Sequence, residues 1–202
     1  MHPAPIFRWD DQSGMLSFVA ERVFGTFVAS IDGRLTVAQV PVLVETEQRL
    51  VLHLSHANPI AKALPLDAVL VVSGPDAYVS PDWYREPDQV PTMSYVSVEL
   101  DGRLEATDDA MLLEILDRTA AELERRIPDK RPWTTSKMTP SVLAAKLKGI
   151  VGATFSITAV RGTSKLSQNK SEADRNDVID ALTRSARDGD RQIAALMRSK
   201  KT

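Results

Sequence analysis

The segment His53-Leu-Ser-His-Ala-Asn-Pro59 gathers a hydroxyl, an amide and two imidazoles, with an ammonium, Lys62, just beyond. Asparagine caps helices well and proline suits the first helical position, so a strand ends here and a helix opens. Ser55, Asn58, Lys62 and the unpaired N–H groups of that helix then converge on one point, an arrangement that suits a phosphate. The same residues also describe a plain capped helix, which is the commoner case. His53 and His56 lie in strand running into loop, where alternation turns them to opposite faces unless the chain bends. The chain has no cysteine, and no carboxylate pair lies nearby, so no metal site is expected there.

Two further segments carry chemistry. Tyr78-Val-Ser-Pro-Asp-Trp-Tyr84, followed by Val90-Pro-Thr-Met-Ser-Tyr95, concentrates Tyr78, Trp83, Tyr84 and Tyr95 on a loop stiffened by Pro81, Pro87 and Pro91. Such a loop can wall a flat-ring pocket, form a subunit interface, or simply pack under itself. Lys165-Leu-Ser-Gln-Asn-Lys170 is rich in donors that can reach ring carbonyls or phosphate oxygens, or else lie in an exposed loop. No G-x-S-x-G, Walker A or G-x-G-x-x-G string is present.

Strands must position these groups. Phe24–Ser30 and Leu35–Val40 flank Asp32-Gly33, a strong hairpin signal, and Pro41 demotes the second strand locally to an edge or bulge. Leu50–Ser55, Ala68–Ser73, Ala77–Val79, Tyr95–Leu104 (Asp101-Gly102 as turn or bulge) and Gly152–Val160 read as further strands. Six or seven strands with short turns favour an antiparallel barrel or sandwich. Helices are expected over Ser13–Arg22, Asp109–Arg126 and Thr139–Lys148, and after the capping-box-like Ser171-Glu-Ala-Asp174. In the second, Leu112, Leu116, Thr119, Ala120, Leu123 and Ile127 form the apolar stripe. Gly189 is expected to break the fourth before a last polar helix with Ile193, Leu196 and Met197.

The chain has 202 residues, 43% of them hydrophobic and 26% charged, an ordinary globular mix. The lack of cysteine excludes disulfides, cysteine-ligated metals and a thiol nucleophile. No targeting signal or spanning run is found, the longest apolar run lying near Ala68–Val72, so a cytoplasmic protein with no membrane partner is expected. The net charge is −2, but residues 161–202 carry ten Lys or Arg against six Asp or Glu. That tail can meet a phosphate or an acidic partner, or form a solvated helix face.

In this order, the motifs resemble the PaiB-type FMN-binding negative transcriptional regulators. The resemblance runs from about residue 1 to Leu182. Its matching pieces are a proline-containing start ending in Phe7, Asn58-Pro59, Gly74-Pro-Asp-Ala-Tyr-Val-Ser-Pro-Asp-Trp-Tyr84, Val90-Pro-Thr92 with Tyr95-Val96, Pro132-Trp133, Ile150-Val-Gly152, and Lys165-Leu-Ser-Gln-Asn169 with Ala173-Asp-Arg175. One departure stands out. The family usually reads Pro-Thr-Trp-Asn-Tyr where this chain has Pro91-Thr-Met-Ser-Tyr95, losing an aromatic face and an amide.

The resemblance implies a mainly β fold with flanking helices (α+β): a six- to seven-stranded antiparallel split β-barrel, similar to pyridoxamine phosphate oxidases and flavin reductases. Residues 1–162 would form the FMN-binding domain, and residues 163–202 a helical extension packing on the barrel or on a dimer partner. It implies a homodimeric flavoprotein with FMN in the groove between subunits. Ser55, Asn58 and Lys62 would hold the phosphate, and the ring would lie against Val40-Pro41. Trp83, Tyr95, Lys165, Gln168 and Asn169 of the partner subunit would close the site.

Three readings follow. The protein is an FMN-binding transcriptional regulator with DNA as a partner, or a flavin-dependent oxidoreductase or flavin reductase, or a split-barrel dimer that has lost flavin affinity.

Overall fold

The computed structural model describes residues 2–199. Among the described residues, seven strands, six α-helices and three single-turn 3-10 segments alternate. The strands are β1 (Arg8–Trp9), β2 (Phe24–Ile31), β3 (Arg34–Thr46), β4 (Arg49–Ser55), β5 (Leu66–Val79), β6 (Thr92–Ala106) and β7 (Ile150–Lys165). The helices are α1 (Gln12–Arg22), α2 (Pro59–Lys62), α3 (Asp109–Glu124), α4 (Pro140–Leu147), α5 (Glu172–Thr183) and α6 (Asp188–Ser199). The sheet order is β1-β7-β4-β3-β2-β5-β6, and β6 pairs in turn with β7. Registers from β1 through β7, β4, β3 and β2 to β5 are antiparallel. Among the described residues no helix is long and apolar enough to cross a membrane.

The expected hairpin forms. Asp32 (φ 50°) and Gly33 (φ 76°) both adopt the left-handed conformation that a two-residue turn between right-twisted strands requires. Pro41 sits where β3 changes neighbour: residues up to Pro41 pair with β2, and Val42 begins the β4 register. A residue without an N–H is tolerated at such a handover. The expected strands Ala68–Ser73 and Ala77–Val79 are one strand, running through Gly74-Pro75. The β2 register covers only Ala68–Val71, so Pro75 falls where no β2 partner asks for its missing N–H.

Two glycines differ from expectation. Asp101-Gly102 is neither turn nor bulge but lies within the continuous β6. A Cβ at Gly102 would fall against the Ser156 carbonyl oxygen and the Phe155 ring, so close approach of backbone is what demands glycine here. Gly189 does not separate α5 from α6. It lies in the first turn of α6, facing the Asp76 carbonyl oxygen, and the break falls before Asp188.

The described chain forms two compact units. One joins the N-terminal segment through Gln12, Ser73–Val98 and the chain from Arg161. Its core includes Phe7, Val79, Leu166, Val178, Leu182, Ile193 and Met197. Ser171 caps α5 as expected, its Oγ accepting from Asp174 N–H at 3.1 Å. Residues 200–202 of the expected extension lie outside the described residues.

The other unit holds Ser13–Val72 and Glu99–Val160. Its core is built on Leu50, Leu52, Leu54, Leu70 and the edge-to-face pair Phe27 and Phe155, with ring centroids 5.0 Å apart. Helix α3 packs on β3 and β4 through Leu112, Ile115 and Thr119. The expected stripe is therefore shifted: Leu123 and Ile127 are exposed, and Ile127 lies beyond the helix end. On the other side of α3, Arg118 pairs with Glu114 at 3.2 Å and Arg126 with Glu122 at 3.1 Å.

Candidate flavin site

The junction after β4 folds as its residues dictate. Asn58 Oδ1 accepts from Ile60 N–H at 2.9 Å, and Pro59 takes the first helical position. Ser55 Oγ accepts from Ala57 N–H at 3.3 Å. Helix α2 is a single turn of four residues, and Asn58 accepts one of its free N–H groups. The dipole of so short a helix is small, and the donors left for an anion are the Ser55 hydroxyl, the Asn58 Nδ2 amide and the exposed Lys62 ammonium. Val40 turns into the core at 5% exposure. Pro41 lies on the opposite, half-buried face, across from Phe24. His53 and His56 do not converge, since His53 is in β4 and His56 in the exposed turn. No cluster of metal-binding side chains occurs among the described residues.

In the other unit, Lys165 Nζ donates to Thr92 Oγ1 at 2.5 Å and lies 5.6 Å from the Phe7 ring centroid. Burial pushes its pKa below the usual lysine value. Gln168 spends both ends of its amide inside the loop: Nε2 donates to the Ser164 carbonyl, and Oε1 accepts from Leu166 N–H at 2.6 Å. Asn169 is exposed. Trp83 is half-buried in a 3-10 turn capped by Ser80. Along the start of β6, exposure alternates: Met93 and Tyr95 share the outer face, while Ser94 turns inward at 1% exposure. Ser94 Oγ has no hydrogen-bond partner. The two departures from the family string therefore act on opposite faces of one strand.

Several neighbours escaped the sequence reading. Lys170 Nζ lies 4.6 Å from the Tyr84 ring centroid and donates to Gln89. The Tyr84 hydroxyl is buried without a well-formed hydrogen bond, and burial raises its pKa, with the nearby Ser167 acting the other way. Asp174 and Asp177 hold Arg85. These partners are some eighty to ninety positions apart in sequence, so no local pattern announces them.

A family model described as "Putative FMN-binding domain" matches residues 1–159. The chain belongs to this FMN-binding family, the PaiB-type proteins. It is 28% identical to the Protease synthase and sporulation protein PAI 2 of Bacillus subtilis, over 99% of this chain and 98% of that protein. Among solved structures it resembles the FAD and heme binding protein of Mycobacterium smegmatis, with TM-score 0.61, 17% identity, and coverage of 83% of this chain and 78% of that one. It also resembles the flavocytochrome Anf3 of Azotobacter vinelandii, with TM-score 0.61, 20% identity, and coverage of 87% and 78%. The fold is thus the flavin-binding split barrel, mainly β with flanking helices, as the sequence predicts.

FMN is the cofactor that this family membership assigns to the chain. It presents a phosphate anion and a flat ring with carbonyl and nitrogen edges. Each compact unit carries side chains of the chemistry that one of these ends calls for. Lys62 is exposed and has no carboxylate partner among the described residues, while Trp83, Tyr95 and Asn169 offer aromatic faces and an amide. When bound, FMN supplies the electron chemistry, and the protein supplies binding and orientation.

Proposed function

We propose that this chain is a cytoplasmic, homodimeric FMN-binding regulator of the PaiB type. The near full-length match to PAI 2 carries the reading. That protein's name ties it to protease synthesis and sporulation, and we extend the tie to a role in transcriptional repression. Ser55, Asn58 and Lys62 hold the FMN phosphate, and the ring lies along Val40-Pro41. The partner subunit's Trp83, Tyr95, Lys165, Gln168 and Asn169 close over it.

The dimer has support on the outer face of the β2–β3 hairpin. Phe24, Leu35 and Val37 are 53%, 73% and 57% exposed there, with Val28 paired to Val37. A contiguous exposed apolar face of this kind is characteristic of an interaction surface. The test is the molar mass and absorbance spectrum of purified protein with and without added FMN. A dimer that takes up one FMN per chain supports the reading; a monomer, or a protein that takes up no flavin, ends it. Leu35→Asp with Val37→Asp should split the dimer and release FMN together.

A second reading is favoured by the C-terminal charges. Arg187 bonds Asp76 at 2.8 Å, Arg191 bonds Asp188, and Arg175 is buried against the Met197 carbonyl. Part of the tail's positive charge is therefore engaged within the fold, which weakens DNA binding by that tail and lends weight to the alternative, a flavin-dependent oxidoreductase. Gel shifts on promoter fragments at low salt and stopped-flow reduction by NADH or NADPH separate the two. Salt-sensitive retardation without turnover indicates a regulator, and turnover without retardation an enzyme.

A further inference from the structure

A cavity of about 290 Å³ lies between α3, α4 and the loop that joins them. Leu116, Leu123, Trp133, Met138, Leu143 and Ile150 supply apolar walls. Besides the Trp133 indole N–H, four residues with polar side-chain groups line it: His53, Thr119, Thr135 and Lys146. Two are committed elsewhere. Thr119 Oγ1 donates to the Ile115 carbonyl at 2.7 Å, and Thr135 Oγ1 donates to Asp117 Oδ1 at 2.7 Å. His53 Nδ1 is sealed from water without a partner, and burial lowers the pKa of the ring, which favours the neutral form. Lys146 remains, exposed on α4 and without a carboxylate partner among the described residues.

The surroundings share its sign. Residues 125–148 carry seven Lys or Arg and a single acid, Asp129, in a chain whose net charge is −2. Arg125 and Arg126 answer to Glu122, and Lys130 to Glu124, whereas Arg131 and Lys148 are exposed like Lys146. The cover is thin. Helix α4 has no fully buried residue, and Leu143 and Leu147 reach the cavity only half-buried. Glu124 and Asp117 hold the loop to α3, through Trp133 N–H at 2.8 Å and the Thr135 hydroxyl.

We propose that this cavity binds a small amphiphilic anion, an aromatic or short aliphatic monocarboxylate, whose apolar body lies against Leu116, Trp133 and Leu143 and whose carboxylate pairs with Lys146 Nζ. The size is at the low end of small-ligand pockets, about 300–1,000 Å³. A single free cation beside apolar walls matches one negative charge on a hydrophobic frame. A phosphate would ask for several more donors than the walls provide. The bound ligand would fill the space under α4 and hold the 129–147 segment against α3.

Calorimetric titration of FMN-saturated protein with 2-naphthoate, and with the neutral 2-naphthamide, tests this. The acid should bind about tenfold or more tightly than the amide, the scale of one charge-assisted contact. Lys146→Met should erase that preference, and Leu143→Trp, whose ring intrudes on the cavity, should weaken binding of both by at least about tenfold. Because Lys146 is exposed, Lys146→Met keeps the proposal falsifiable even if Leu143→Trp fails to fold. Flavin absorbance, followed in the same titration of the unmodified protein, should stay constant. Equal affinity for acid and amide, no binding of either, or an undiminished preference in Lys146→Met would overturn the proposal. So would displacement of FMN by naphthoate, which would place the anion in the flavin site, or a ligand-free change of molar mass on Leu143→Trp, which would make the cavity a contact between copies.

Discussion

Asp174 Oδ1 accepts the backbone N–H of Arg85 at 2.7 Å, across 89 positions of sequence. Asp174 is 2% exposed, and its Oδ2 accepts from the Ser171 hydroxyl at 2.9 Å. One carboxylate thus completes the start of α5 and pins the loop that carries Trp83 and Tyr84. Arg85 adds a two-pronged contact to Asp177 at 2.6 and 3.0 Å.

Asp174→Asn should loosen residues 84–92, with faster amide exchange there and little change around Phe155. The Arg85 N–H holds the Asp174 carboxyl below the ordinary aspartate range, helped by Ser171. Its contribution is therefore complete above the unfolded aspartate value and is lost as pH falls through the lower folded value. Hydrogen exchange at neutral and acid pH measures this; a loop equally protected in both proteins at both pH values contradicts it.

Lys62→Ala should weaken FMN binding by about 1–3 kcal/mol, the range for a charge-assisted hydrogen bond. Gln168→Ala should act differently. Its amide already serves Ser164 and Leu166, so the expected loss is in loop order and in flavin off-rate. Flavin fluorescence quenching with dissociation kinetics distinguishes them, and an unchanged affinity in Lys62→Ala would remove that residue from the phosphate site.

Glu45 accepts from Arg118 at 2.8 Å and also pairs with Arg49. The Arg118 hydrogen bond comes first among the effects that depress the Glu45 pKa, with Arg49 also lowering it, against burial. Glu45→Gln should cost about 1 kcal/mol at neutral pH. The difference should be present above the unfolded glutamate value and disappear as pH falls through the lower folded one. Urea unfolding at several pH values reads the effect directly.

Gly102→Ala should destabilise the fold by about 1–3 kcal/mol, the usual penalty of overpacking. The added methyl meets the Ser156 carbonyl and the Phe155 ring. Gly33→Ala, where a Cβ meets nothing within 4 Å, is strained only through its φ of 76°, and should act through the hairpin turn instead. Thermal melts of the two variants with FMN absent compare these costs.

Local chemistry was legible in the residues themselves. Asp32-Gly33 specifies its turn, Ser171 and Asn58 their caps, and the tyrosine- and tryptophan-bearing strings the flavin family, because each depends on neighbours a few positions away. Only the tertiary structure decided that β5 runs unbroken through Gly74-Pro75, that Gly102 answers to Phe155, and that Ile115, rather than Leu123 or Ile127, joins Leu112 and Thr119 on the buried face of α3. Those outcomes depend on which strand lies alongside and how closely two backbones approach. No short window of sequence carries that information, since the contacts join residues dozens of positions apart.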